Sequence, residues 1–199
     1  MKAVPANRLI VFLLIATVGC ATDLLTKSWL FSWLGMPGPR PSYWLVDEIF
    51  GFTTSLNEGA LFGMGQGRVN LFALLSVVAA IGIVYWLFWI GVAHDWQLTI
   101  ALACVTAGIF GNLYDRLGLP GLLWTPADPR GHLPGDPVYA VRDWIHFKID
   151  AIHFDWPIFN IADSLLVCGA GLLIWHSLKG EVRSKQPVLG SAGASAKQN

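Results

Sequence analysis

The chain has 199 residues, 54% of them hydrophobic and 13% charged, and its 13 Lys and Arg balance its 13 Asp and Glu to zero formal net charge. A soluble domain carries roughly twice that share of charge, and with a mean hydropathy of +0.54 and ten Trp so few ionised groups could not keep the surface soluble. Zero net charge without a Lys/Arg cluster also removes the field that attracts phosphates, so nucleic acid is excluded as an expected partner.

Four apolar runs are long enough to cross a hydrocarbon core about 30 Å thick, which takes about 20 helical residues. The first, residues 9–30, is interrupted only by Asp23 and Lys27 near its end. Lys2, Arg8 and the Gly19-Cys20 pair faintly fit a cleaved leader, but Thr17 fits it poorly and the run continues through Leu24, Leu25 and Trp29, so a retained span is expected. In the following segment, residues 43–56 are rich in aromatic and β-branched side chains and are expected to form strands at the membrane surface. The second run, residues 69–93, carries no charge. The third, 98–114, is also uncharged and presents Ala103, Ala107 and Gly111 at four-residue spacing, which lets another helix approach closely. Residues 117–140 hold five Pro and four Gly and predict an irregular excursion. In 141–149 the sequence alternates, with Ile145, Phe147, Ile149 and Asp143 on one face and Arg142, His146 and Lys148 on the other. The fourth run, 156–178, contains one charge, Asp163. Residues 180–199 lack periodicity and are expected to be a disordered cytoplasmic tail.

These elements predict an all-α polytopic membrane protein: one four-helix domain over residues 1–179, with a small extracytoplasmic β-containing element. Lys2 and Arg8 before the first span, and Lys179, Arg183 and Lys185 after the fourth, place both termini in the cytoplasm. The outer segments, 31–68 and 115–155, then hold most acids: Asp47, Glu48, Glu58, Asp128, Asp136, Asp143, Asp150 and Asp155. Cys20, Cys104 and Cys168 fall inside spans and are expected to be packing residues.

On this topology polar residues converge at the outer ends of the spans: Asp23 and Lys27 from the first, Asn112, Asp115 and Arg116 from the third, Asn160 and Asp163 from the fourth, and Asn57 and Asp143 from the outer segments. Ionisable groups within spans are costly and usually line a bundle interior or a water cavity, so the cluster is a candidate site. Structural readings stand beside it. Asp23 and Lys27, four apart on a helix, also suit an ion pair; Asp115 and Arg116 also suit a helix end; Asn57 suits a turn before Gly59, and Asn160 a helix cap. Asp163 has no basic residue within seven positions and is hardest to explain structurally. Two carboxyls in apolar settings suit acid/base chemistry, because close together they cannot both ionise easily. H-E-x-x-H and G-x-S-x-G motifs are absent from the sequence, and His132, His146 and His153, which could join Asp143 at a metal, have no familiar zinc spacing. The rival readings are a proton or ion relay through Asp23, Lys27 and Asp163, and a structural scaffold.

Five motifs in chain order, Asp23-Leu-Leu-Thr-Lys27, Asn57-Glu-Gly59-Ala-Leu-Phe62-Gly, Gly111-Asn112-Leu-Tyr-Asp115-Arg116, Val141-Arg-Asp143-Trp-Ile and Phe159-Asn160-Ile-Ala162-Asp163-Ser164, resemble those of the lipoprotein signal peptidase (signal peptidase II) family. The resemblance covers residues 9–178. It implies a bacterial inner-membrane aspartic endopeptidase without metal or organic cofactor, which cleaves diacylglyceryl-modified prolipoproteins just before the lipidated cysteine. It implies Asp143 and Asp163 as the catalytic pair, Asn57, Gly59, Asn112, Arg116, Asn160 and Ala162 as residues lining or ordering the site, and Asp23 and Lys27 as supports near it. Asp115 lies in a matching motif but is not the catalytic aspartate. A monomer in contact with membrane lipid is expected. The chain departs from the family between Arg116 and Val141, where the connection is longer, and in the Arg142 and Trp144 that flank Asp143.

Overall fold

Apolar side chains run without a break through the first helix, α1 (Ala6–Leu34), which continues past the expected end at residue 30 because Phe31, Trp33 and Leu34 extend the run, and closes where Gly35 N–H bonds Phe31 O at 3.0 Å. The computed structural model describes residues 4–38, 42–59, 64–126 and 131–184, with the side chains of 180–184 left aside. Lys2, Phe62, Asp128, Lys185 and the tail beyond residue 184 lie outside the described residues.

A hairpin follows α1: β1 (Tyr43–Val46) and β2 (Phe50–Asn57) pair antiparallel. Helix α2 (Val69–Val84) then loosens into a wider turn over Tyr85–Trp89, where Ile90 N–H reaches back to Tyr85 O, and stops short of the expected residue 93. Asp95 caps α3 (Trp96–Arg116) by accepting Leu98 N–H at 3.0 Å. After the excursion come β3 (Val141–Ile149) and β4 (Phe154–Phe159), completing a four-stranded antiparallel sheet in the order β1-β2-β3-β4. Helix α4 (Ile161–Ser184) ends the described chain.

Two expectations need correction here. Residues 156–159 are strand rather than the start of the fourth helix. Pro157 lacks the N–H that a helix interior needs, and Trp156, Asp155 and Phe154 instead pair with Phe147, Lys148 and Ile149 of β3. At its other end α4 continues through residue 184, into the segment expected to be a tail.

Four helices among the described residues are long and apolar enough to cross a membrane. Helix α3 is the central one: 67% of its most apolar window is buried within the protein, against 11% in each of the others. The outer helices instead expose Leu14, Val18, Leu25, Leu74, Val78, Ile81, Val167 and Ile174, an apolar surface whose exposure to water is unfavourable and which lipid covers. Small residues set the spacing around α3. A Cβ on Gly108 would lie 2.5 Å from Ala162 O on α4, and one on Gly111 would lie 2.5 Å from Asp23 Oδ2 on α1. Gly108→Ala is therefore expected to push α4 off α3, at a cost of about 1–3 kcal/mol, visible as a lower melting temperature in detergent; an unchanged melting temperature would show that the two helices yield.

The excursion contains no regular strand or helix among its described residues, yet it packs against the body. Its arms meet at the Leu123–Pro137 bridge, with Trp124 N–H bonded to Asp136 O and Val138 N–H to Leu122 O, each at 2.9 Å. Trp124, Val138 and Ala140 bury themselves against Phe31 of α1 and Leu56 of β2.

Candidate active site

Asn160 immediately precedes α4 and Asp163 is its third residue. Asn160 Oδ1 accepts Asp163 N–H at 2.9 Å while Asp163 Oδ2 accepts Asn160 N–H at 3.3 Å, a reciprocal cap that orients both side chains through local backbone geometry. Asn160 also donates through Nδ2, which lies 2.6 Å from Asp143 Oδ1 on β3. Asn160 thus bonds the Asp143 carboxyl through its side chain and the Asp163 carboxyl through its main-chain N–H, and brings together two residues from different elements.

Asn112, on α3, orders the other side. Lys27 Nζ donates to Asn112 Oδ1 at 3.0 Å, and Asn160 Nδ2 approaches the same oxygen at 3.2 Å. An ammonium is a donor only, so the amide must present its own donor in the opposite direction; Nδ2 reaches Asp163 Oδ1 at 2.8 Å. Lys27 Nζ also forms ion pairs with Asp23 Oδ2 at 2.7 Å and Asp115 Oδ2 at 3.1 Å, with all three side chains fully buried. The remaining oxygen of Asp23 accepts Ala162 N–H at 2.9 Å, tying α1 to the start of α4. Asp115 also holds β3, accepting Arg142 Nε at 2.9 Å and Arg142 N–H at 3.0 Å.

The third wall comes from the end of β2. Asn57 hydrogen-bonds Asp143 through its side chain, and its Oδ1 also accepts Gly59 N–H at 2.9 Å and Gln66 Nε2 at 3.2 Å. Arg116 Nη2 donates to Gly59 O at 3.0 Å, and its guanidinium is close enough to interact with the charges of Asp163, Asp143 and Asp115.

Asp143 is 2% exposed. Burial, and then the neighbouring Asp163 charge, push its carboxyl well above the usual carboxylate range; Lys27 and the hydrogen bonds from Asn160 and Asn57 pull the other way and do not prevail. The site contains four carboxyls, from Asp23, Asp115, Asp143 and Asp163, and three cations, from Lys27, Arg116 and Arg142. A proton held on Asp143 makes that set neutral, as low-dielectric surroundings favour.

The histidines do not converge on Asp143. His132 Nε2 lies 3.1 Å from Glu58 Oε1, His146 lies between Asp155 at 2.8 Å and Thr53 at 3.2 Å, and His153 is exposed in the turn before β4. Among the described residues no group of three or more His, Cys, Asp or Glu side chains is placed to hold a metal ion. Cys20, Cys104 and Cys168 are free thiols on α1, α3 and α4.

The family described as Signal peptidase (SPase) II matches residues 15–179 of this chain. The chain belongs to the signal peptidase II family. Relatives agree along most of its length: a lipoprotein signal peptidase of Rhodopirellula baltica is 46% identical over 175 residues, covering 88% of this chain and 74% of that protein, and one of Bacillus pumilus is 34% identical over 175 residues, covering 88% and 97%. A bacterial membrane enzyme solved by the in meso method at 2.3 Å resolution matches with a TM-score of 0.67 at 27% identity, over 88% of this chain and 92% of that one. The expected fold, four apolar helices with a small sheet, is thereby shared with a solved structure.

In this signal peptidase II chain every residue named from the motifs, Asp23, Lys27, Asn57, Gly59, Asn112, Asp115, Arg116, Asn160 and Ala162, joins one hydrogen-bonded cluster around Asp143 and Asp163. The sequence reading missed Arg142. Alternation placed it on an outward polar face with His146 and Lys148, whereas it is 3% exposed, paired with Asp115 and bonded through Nη1 to Ser28 Oγ at 3.2 Å. The first half of β3 is covered on both faces, which alternation does not foresee. The available signal was Asp115, a buried acid that needs more than one donor.

Proposed function

We propose that the chain is an aspartic endopeptidase that removes the signal peptide from diacylglyceryl-modified prolipoproteins, cutting just before the lipidated cysteine. The supporting observation is Asn160, which bonds the Asp143 carboxyl through its side chain and the Asp163 carboxyl through its main-chain N–H, in a chain whose relatives are lipoprotein signal peptidases. Asp163 serves as the base: its carboxylate receives Asn112 Nδ2 in the first turn of α4, where the helix dipole favours negative charge. Asp143 is the protonated member.

Water placed between them loses a proton to Asp163 as its oxygen bonds to the scissile carbonyl carbon, while Asp143 protonates the carbonyl oxygen. The tetrahedral diol then collapses. The C–N bond breaks, the proton on Asp163 passes to the departing amine of the lipidated cysteine, and a diol hydroxyl returns a proton to Asp143. Arg116, held on Gly59 O, orients substrate carbonyls beside the pair. In a bacterial inner membrane with both termini cytoplasmic, the sheet end of the bundle faces the periplasm. The acyl chains stay in lipid between helices, so the membrane holds the substrate at the depth of the pair, and one copy of the chain suffices.

A relay that carries ions across the membrane is not favoured. Apart from this cluster, the buried polar side chains among the described residues are Thr99 and Thr106, and both hydroxyls bond backbone carbonyls close by in sequence.

The test is to incubate the purified protein in detergent with a diacylglyceryl-modified prolipoprotein and with its unlipidated form, and to determine the product N-terminus by mass spectrometry. The lipidated substrate alone should yield a new N-terminus at the modified cysteine, with or without a chelator. Cleavage elsewhere, or loss of cleavage on chelation, contradicts the proposal.

A further inference from the structure

The Pro- and Gly-rich excursion contributes to a cleft beside the site. The cleft has a volume of about 510 Å³ and is lined by Glu58, Gly67, Val69 and Asn70 on one side and by Tyr139 on the other. Tyr139 comes from the excursion and is 49% exposed. Its ring rests on Gly118, where a Cβ would sit 2.8 Å from Tyr139 Cε1 and where φ is +69°, so both space and backbone geometry call for glycine. Glu58 is held from the excursion as well: His132 Nε2 lies 3.1 Å from its carboxylate, and the His132 ring stacks on Trp124 with centroids 4.1 Å apart and planes 8° from parallel. Trp124 is itself anchored in the cluster with Phe31 and Leu56. Glu58 stands between Asn57, which bonds Asp143, and Gly59, which Arg116 grips. One wall of the cleft is thus the residue next to Asn57, whose side chain bonds Asp143.

We infer that this cleft binds the polypeptide on the mature side of the scissile bond, the residues that follow the lipidated cysteine, and that Tyr139 is a specificity-determining residue supplied by the excursion. The inference rests on the peptidase reading. A substrate cut at Asp143 and Asp163 has two chains leaving the site with opposite chemistry. The signal segment is apolar and belongs along the exposed aliphatic faces of the helices. The mature segment is polar and must leave on the sheet side, toward water. There the cleft offers a carboxylate, an amide and a phenol ring, a mixture suited to polar backbone and side chains, in a volume within the usual range for ligand sites. Tyr supplies contact area to such a segment at low conformational cost.

The experiment compares two diacylglyceryl-modified prolipoprotein peptides with the same signal segment. One ends at the residue after the cysteine; the other continues for about ten residues, enough extended chain to cross the cleft. The purified full-length protein should show a KM about fivefold lower for the long peptide, the scale of one or two net contacts. In Tyr139→Ala that preference should disappear, and Tyr139→Phe, which keeps the ring, should retain it. If Tyr139→Ala fails to fold, Gly118→Ala displaces the ring from behind and should remove the preference in the same way. Equal KM values for the two peptides in the unaltered protein, or an undiminished preference in Tyr139→Ala, overturn the cleft assignment and leave the peptidase reading intact. No cleavage of either peptide by the unaltered protein overturns both.

Discussion

Lys27→Met is expected to lower the melting temperature by about 10 °C or more in detergent, from a loss of about 3–5 kcal/mol. The size of the effect follows from what Lys27 leaves behind. Asp23 and Asp115 are both fully buried, and the ammonium between them, at 2.7 and 3.1 Å, is the charge that balances them most directly. Arg142 still serves Asp115, but Asp23 keeps only the Ala162 N–H. Breaking a buried pair by removing one partner costs far more than the pair contributes, because the survivor stays desolvated. Asp23→Asn added to Lys27→Met should therefore recover part of the loss, since the amide carries no charge. Activity should fall in the single variant even below its melting temperature, because Lys27 also fixes which end of the Asn112 amide faces Asp163. Thermal unfolding followed by circular dichroism measures the first effect. A melting temperature within a degree or two of the unaltered protein's would refute the buried-charge account.

Asp143→Asn is expected to reduce cleavage by about 10³-fold or more, the scale of general acid catalysis, while making the protein more stable. Asn can still accept the Asn160 hydrogen bond through Oδ1, so the local geometry survives. The stability gain has a definite pH dependence. Burial and the Asp163 charge hold the Asp143 carboxyl above its usual range in the folded chain. The folded state therefore binds this proton more tightly than the unfolded state, and stability is lost as pH rises above the unfolded value of about 3.9. Removing the group removes that loss. The two proteins should melt at similar temperatures near pH 4, and the variant should gain steadily as the pH is raised toward neutrality. A gap that shrinks with rising pH would mean that Asp143 is ionised and stabilised in the fold.

How much was legible beforehand differs from residue to residue. The spans were legible because runs such as 69–93 carry no charge and are long enough to cross a hydrocarbon core. The boundary at residue 160 was not: residues 156–159 are as apolar as the helix that follows, and only Pro157 and the Asn160 cap mark the change. The site was legible as a set of residue types, because carboxyls and amides near span ends are expensive wherever they sit. Its wiring was not. Arg142 and Asp115 are 27 positions apart, and pairing between them depends on β3 lying across the end of α3, which no local pattern encodes. For the excursion, Pro and Gly ruled out regular structure, but where Trp124, Val138 and Ala140 would bury themselves depended on Phe31 and Leu56, which belong to other elements.

The central claim is that Asp143 and Asp163 act as one unit. The most direct measurement is the rate at which the purified protein, Asp143→Asn, Asp163→Asn and the double variant cleave a diacylglyceryl-modified prolipoprotein, each first shown to be folded. Groups that act together are grossly non-additive, so each single variant should lose about as much activity as the double variant. A single variant that cleaves at close to the unaltered rate, or losses that multiply in the double variant, would contradict the account.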